Sequence, residues 1–234
     1  NQKTTDKIFH LIFIYYIFLN MSGYKEYNDL LLDSYPNRHR VPIMKATGDN
    51  FKQYGRFVYD YDSEQVIIST WPQASWRKIM DRTGRGGGIA EGRFEYWWDD
   101  NKLMAVNNAV GGSYTVGILP KNVSINNRTS VLTREANYHP DGGQVFYPLD
   151  KNPFVLLLAL PGDDINPEDF VAFYFSGECG AQIYPNIWHQ PVFPLSRKAS
   201  FMTKQGKVHA CVGVDTLEEF NKWLEIPLTC IQES

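Results

Sequence analysis

The chain has 234 residues, 43% of them hydrophobic and 21% charged, the balance of an ordinary folded protein with room for one large domain. A net charge of −3 gives no electrostatic basis for binding nucleic acid. Cys179, Cys211 and Cys230 are odd in number and have no CxxC spacing, which argues against a zinc site and a disulfide framework.

The run from Ile8 to Leu19 is almost wholly apolar. It is too short to span a membrane and has the length of a signal-peptide core. Met21 follows it, so residues 1–20 read as an extension upstream of the true start, and residues 21–234 as a single domain. Tyr24, Tyr27, Leu30 and Leu31 recur at helical spacing, which predicts a helix over 24–33 closed by Pro36. Val41–Lys45 carries a proline and reads as an edge strand. Asp49 is expected to cap a short helix over Asn50–Tyr54 that ends at Gly55. Strands are predicted at Phe57–Tyr61, Val66–Thr70, Phe94–Trp98, Leu103–Asn107 and Tyr114–Leu119, separated by turn residues. Phe154–Leu160 is a continuous apolar run and should be a strand buried on both faces. Phe170–Phe175 is another strand. Thr216, with Glu219 three residues on, predicts a capped final helix presenting Phe220, Trp223 and Leu224 on one face. The order is mainly β with short terminal helices, the pattern of an antiparallel jelly-roll barrel.

Two of the five histidines lie in motif-like settings. His189 follows Trp188 among glycines and prolines that mark tight corners, and His139 precedes Pro140. An imidazole titrates near neutral pH and can act as acid, base or metal ligand. His10 lies in the N-terminal extension, His39 in a basic loop, and His209 in a strand-like run that reads as structural. Gly84–Gly88 reads as a flexible hairpin loop; folded over a barrel mouth it would bring Arg85 to an acidic substrate. Asn122-Val-Ser124 and Asn127-Arg-Thr129 fit the glycosylation pattern, which matters only in a secreted chain.

The segments His139-Pro140, Gly143-Gln144-Val145-Phe146-Tyr147-Pro148, Gly162-Asp163 and Asn186-Ile187-Trp188-His189, in this order and around the two apolar strands, resemble the ureidoglycolate lyase family, which has a cupin-type barrel. The resemblance implies a cupin-like double-stranded β-helix and a carbon–nitrogen lyase of allantoin degradation and purine catabolism, acting on ureidoglycolate or another small hydroxy or keto acid. Departures from the family are local. The Arg-Tyr-His-Asp segment of bacterial members is replaced by Ala105–Val110, a histidine position by Pro185, and the second histidine of Trp-His-His by Gln190. Ser69–Arg93 resembles an insertion relative to the short bacterial form.

Such a lyase needs a base for the hydroxyl proton, an acid for the leaving urea nitrogen, and a pocket for the carboxylate. His189 is the expected base or acid, with His139 or Glu135 as its partner. Gln144, Tyr184 and Asn186 are expected to hold the ureido group, with Trp188 beside them. Arg134 and the insertion arginines Arg77, Arg85 and Arg93 are the candidates for the carboxylate. No cofactor is expected, with a divalent metal as the open alternative. Cupin barrels often hold a divalent metal, but the usual His-x-His pair is absent, and two imidazoles and an amide suit zinc or iron poorly. A small-molecule substrate and a homodimer are the expected partners, with no nucleic acid and no membrane, in the cytoplasm or peroxisome. The competing readings are a non-catalytic ligand-binding cupin and a metal-dependent cupin isomerase or dioxygenase.

Overall fold

The computed structural model describes residues 27, 32–33, 36–69, 76–80, 87–207 and 211–229. The extension at 1–20, most of the helix expected over 24–33, Arg85 and His209 lie outside them; Tyr27 and Leu32, which lie inside, are buried.

Two large sheets, antiparallel in nearly all their pairings, make a mainly β, cupin-like barrel. The first sheet has ten strands. They run β1 (Arg38–Arg40), β17 (Trp223–Pro227), β7 (Ser130–Thr133), β6 (Ser113–Ile118), β5 (Lys102–Asn107), β4 (Ile89–Asp99), β15 (Lys198–Gly206), β9 (Gln144–Pro148), β12 (Gly180–Ile183) and β3 (Gly55–Val58). The second runs β16 (Val212–Asp215), β8 (Glu135–Tyr138), β13 (Trp188–His189), β10 (Phe154–Ala159), β11 (Val171–Phe175) and β2 (Ile43–Lys45), with β14 (Phe193–Pro194) paired to β10. β2 lies at the edge, as its neighbouring proline requires. Every residue of β10 is buried, as expected of a strand covered on both faces. Phe154 of β10 stacks on Phe175 and meets Phe201 edge-on, which joins the two sheets through one aromatic core.

Several elements differ from the sequence expectation, each for a local reason. The first helix, α1 (Gly48–Phe51), begins earlier: Thr47, not Asp49, is its cap, in a reciprocal capping box with Asn50. The final helix, α2 (Thr216–Phe220), is capped by Asp215, whose carboxylate accepts from the N–H groups of Leu217 and Glu218. Asn221 then adopts a left-handed conformation and ends it, so Trp223 and Leu224 belong to β17. Among the described residues of 66–70, only an isolated bridge forms, between Ile68 and Gly142. His39 lies in β1 and is half-buried, not in a solvated loop. β15, the long strand that joins β4 to β9, was not expected from the sequence.

Candidate active site

β13 is only two residues long, yet it sits between β8 and β10 in mid-sheet, with His189 opposite Asn137 on one side and Leu158 on the other. The turn Tyr184-Pro185-Asn186-Ile187 feeds it there. Proline second and a positive-φ Asn186 third is the pattern of a type II turn, and Ile187 N–H closes it on the Tyr184 carbonyl at 3.4 Å. The Asn186 N–H donates to the His139 carbonyl at 3.1 Å, which ties the turn to the end of β8. Gly143 permits the approach of β12: a Cβ there would lie 2.3 Å from the Ile183 carbonyl oxygen.

Alternation along the strands then sorts the side chains onto two faces. Tyr138 and Trp188 share the outer face, with their rings edge-on at 4.7 Å. They are locked from behind: the Tyr138 hydroxyl donates to Asp163 Oδ1 at 2.9 Å, and the Trp188 indole to the Gly162 carbonyl at 2.8 Å. Burial, then the bond to Asp163, pushes the Tyr138 phenol well above its ordinary value. The Arg77 N–H donates to Asp163 Oδ2 at 2.8 Å, and its guanidinium grips Glu219 through bonds of 2.9 and 2.6 Å. Those bonds hold the guanidinium above its ordinary value, against the opposing effect of desolvation.

The inner face carries Asn137, His139 and His189, which line an open pocket together with Asn107, Tyr114, Gln144 and Gln205. Phe94, Phe146 and Pro191 complete its wall. The His139 and His189 rings meet edge-on, 4.8 Å apart. His189 Nδ1 lies 2.8 Å from the Ile187 carbonyl, and its Nε2 lies 3.3 Å from Gln144 Oε1. Gln144 Nε2 donates to Thr203 Oγ1 at 3.2 Å and to Gln205 Oε1 at 2.9 Å. Asn107 Nδ2 also donates to Gln205 Oε1, at 2.9 Å. Burial, then the neighbouring Cys211, pushes the Tyr114 phenol well up, so it stays neutral. The pocket therefore offers imidazoles and neutral hydrogen-bonding groups, and no lysine or arginine lines it among the described residues.

Of the residues singled out from the sequence, His139, His189 and Gln144 meet in this pocket. Glu135 follows their face of β8 but lies beyond the lining. Trp188 is on the opposite face, and Tyr184 and Asn186 are exposed on the supporting turn. Arg134 is engaged by Asp215, through an Nε–Oδ1 bond of 3.1 Å and a second, shorter one from Nη2. Arg77 is committed to Asp163 and Glu219, and Arg93 is exposed on β4. Asn107, Tyr114, Asn137 and Gln205 are additions to the set. Their signal in the sequence was a polar residue at an inward position of an alternating strand, most plainly Leu103, Ala105, Asn107 in β5. Among the described residues no group of three or more His, Cys, Asp or Glu could hold a metal ion. Two imidazoles beside neutral amides and a phenol make a poor donor set for one.

A cupin-like barrel whose interior holds two histidines against a wall of amides has the concave form that small-molecule sites take. The sequence model described as Ureidoglycolate lyase matches residues 101–221, the segment that contributes every pocket-lining residue except Phe94. The chain belongs to the ureidoglycolate lyase family. It is 39% identical over 64 residues to the ureidoglycolate lyase of Azotobacter vinelandii, covering 27% of this chain and 39% of that protein. To the ureidoglycolate lyase of Pseudomonas savastanoi it is 33% identical over 75 residues, 31% of this chain and 44% of the relative. To that of Escherichia coli K12 it is 36% identical over 69 residues, 30% and 43% respectively. The chain thus spans less than half the length of these curated relatives. No helix among the described residues is long and apolar enough to cross a membrane.

Proposed function

We infer that the chain is a carbon–nitrogen lyase that cleaves ureidoglycolate to glyoxylate and urea. The observation that carries this reading is the edge-on pair of His139 and His189, 4.8 Å apart, inside an amide-lined pocket of a member of this family. The reaction moves two protons. One leaves the substrate hydroxyl as its C–O bond becomes the glyoxylate carbonyl. The other reaches the urea nitrogen as the C–N bond breaks with its electron pair. Two imidazoles side by side supply one acceptor and one donor without a net change in charge. The ureido group has both donors and acceptors, and the Asn137, Gln144 and Gln205 amides can match both. With no lysine or arginine in the described lining, the charge that offsets the substrate carboxylate falls to an imidazolium of the same pair. The chain works with small molecules, and a homodimer remains part of the proposal.

The test is urea release from ureidoglycolate by the wild type beside His139→Ala and His189→Ala. Loss of a proton-transfer group typically costs about 10²–10⁴-fold in rate, and that loss is expected of each variant. Retention of wild-type turnover by both would remove the histidines from the chemistry.

A further inference from the structure

The hydrogen bonds around His189 fix more than its position. They form a directed series whose first member is a backbone N–H. The Ala109 N–H can only donate, and it lies 2.9 Å from Asn107 Oδ1. This turns the Asn107 Nδ2 toward Gln205, which must present Oε1 to it, at 2.9 Å. The same Oε1 faces Gln144, which must therefore present Nε2, also at 2.9 Å. Gln144 Oε1 is left facing His189 Nε2 at 3.3 Å, and an amide oxygen can only accept. On the other side of the ring, the Ile187 carbonyl can only accept from Nδ1, at 2.8 Å. Both ring nitrogens are called on to donate, and an imidazole donates from both only when protonated.

We propose that Asn107 and Gln205 are positioning residues that, through Gln144, hold His189 as an imidazolium, so that His189 is the proton donor and His139 the proton acceptor of the site. A neutral His189 would need Gln144, Gln205 and Asn107 all reversed, and the series would then end with the Asn107 amide facing the Ala109 N–H, donor against donor. That reversal would cost the Asn107–Ala109 hydrogen bond and set two donors face to face at the half-buried end of the series. Hydrogen bonds to the charged form favour that form.

The other groups around the ring leave this assignment standing. β8 presents Asn137, His139 and, further along, Glu135; a carboxylate there also favours the cation. β10 presents the apolar Leu158. β6 presents Tyr114, kept neutral by burial, with Cys211 in electrostatic contact with it and Asp141 with Cys211. β15 presents Thr203 and Gln205, while the Lys204 ammonium is turned to the Tyr61 and Glu64 carbonyls.

The assignment deepens the lyase reading and takes its catalytic meaning from it. His139 accepts the hydroxyl proton, the C–O bond becomes C=O, the C–N bond breaks toward nitrogen, and the His189 Nε2 proton passes to that nitrogen. His139 ends protonated and His189 neutral, and exchange with water resets the pair.

The test needs no substrate, so its failure is separable from failure of the lyase reading. Nitrogen-15 spectra of the histidine rings, with the His189 signals assigned by their loss in His189→Ala, report which ring nitrogens carry protons as pH is varied. In the wild type His189 is expected to be protonated at both nitrogens near neutral pH and to be the later of the pair to lose its proton. Asn107→Leu and Gln205→Met remove the directing groups at similar volume. Each should shift the His189 equilibrium about tenfold toward neutral, the effect of one hydrogen bond lost from the charged form. Gln205→Glu still accepts from both Asn107 and Gln144 and should keep the cation. A wild-type His189 with Nε2 unprotonated at neutral pH would overturn the proposal, even if every variant failed to fold. So would folded Asn107→Leu and Gln205→Met proteins that titrate like the wild type.

Discussion

Asp163 holds the β8 histidine strand from behind, through Tyr138, and its removal has a magnitude that can be worked from the structure. One carboxylate oxygen takes the Tyr138 hydroxyl at 2.9 Å, and the other takes the Arg77 N–H at 2.8 Å, in a nearly buried setting. Hydrogen bonds to a charged acceptor contribute about 1.5–3 kcal/mol each, and a buried donor left without a partner costs about as much, so Asp163→Ala should destabilise by at least about 3 kcal/mol. For a domain of this size that is a fall of roughly 6–12 °C in Tm. Asp163→Asn keeps an oxygen for Arg77 and an amide for Tyr138, so its cost should be about half. Urea denaturation of wild type, both variants, Tyr138→Phe and the Asp163→Ala/Tyr138→Phe double variant reads these values. The cycle should return a coupling of about 1.5 kcal/mol between Asp163 and Tyr138. Since Tyr138 precedes His139, Asp163→Ala should also disturb the ring signals of His139. An Asp163→Ala protein within about 0.5 kcal/mol of the wild type, with zero coupling, would refute the idea that this carboxylate anchors the back of the site.

Three further outcomes follow from other parts of the molecule. Phe154→Ala removes a ring stacked on Phe175 and set edge-on to Phe201, and should cost about 3–5 kcal/mol in denaturant unfolding. Burial raises the Tyr27, Tyr96 and Tyr114 phenols above their unfolded value, so the stability tied to their neutral forms is fully present below about pH 10 and is lost as pH rises beyond it. Denaturation midpoints between pH 8 and 12 should fall in that window; a flat profile would contradict the burial of these rings. Cys211 is buried and its thiol is pushed up, first by desolvation and then by Asp141, so iodoacetamide at pH 8 should leave it unmodified in the native protein and label it after unfolding, read by peptide mass spectrometry.

Much of the barrel could be read from the sequence because apolar runs and alternation carry it. The doubly buried Phe154–Ala159 strand and the Lys102–Asn107 strand were visible in that way. Where short-range signals competed, the reading erred by a few residues. Asp49 looked like a cap, but Thr47 sits one position before the helix and faces Asn50 at the right spacing. Trp223 and Leu224 fit a helical face, but Asn221 ends the helix first, and pairing with β7 decides the rest. At the candidate site, His139, Gln144 and His189 were legible because they lie in motifs. Asn107 and Gln205 were not, because they reach the pocket from strands distant in sequence, and only the pairing of β4 with β5 and β15, and of β15 with β9, brings them to Gln144. Arg134 shows the converse: an arginine beside the motif looked available for a carboxylate, but the fold places Asp215 against it.

The central claim is that this barrel breaks the carbon–nitrogen bond of ureidoglycolate, and the direct measurement is product stoichiometry. Carbon-13 and nitrogen-15 NMR of labelled ureidoglycolate with the full chain should show glyoxylate and urea appearing in equal amounts, with no ammonia, and the His139→Ala and His189→Ala variants should abolish both products. Ammonia release in place of urea would mean a different reaction on the same substrate. No turnover by a well-folded wild type would mean that the chain kept the scaffold of its family without the chemistry.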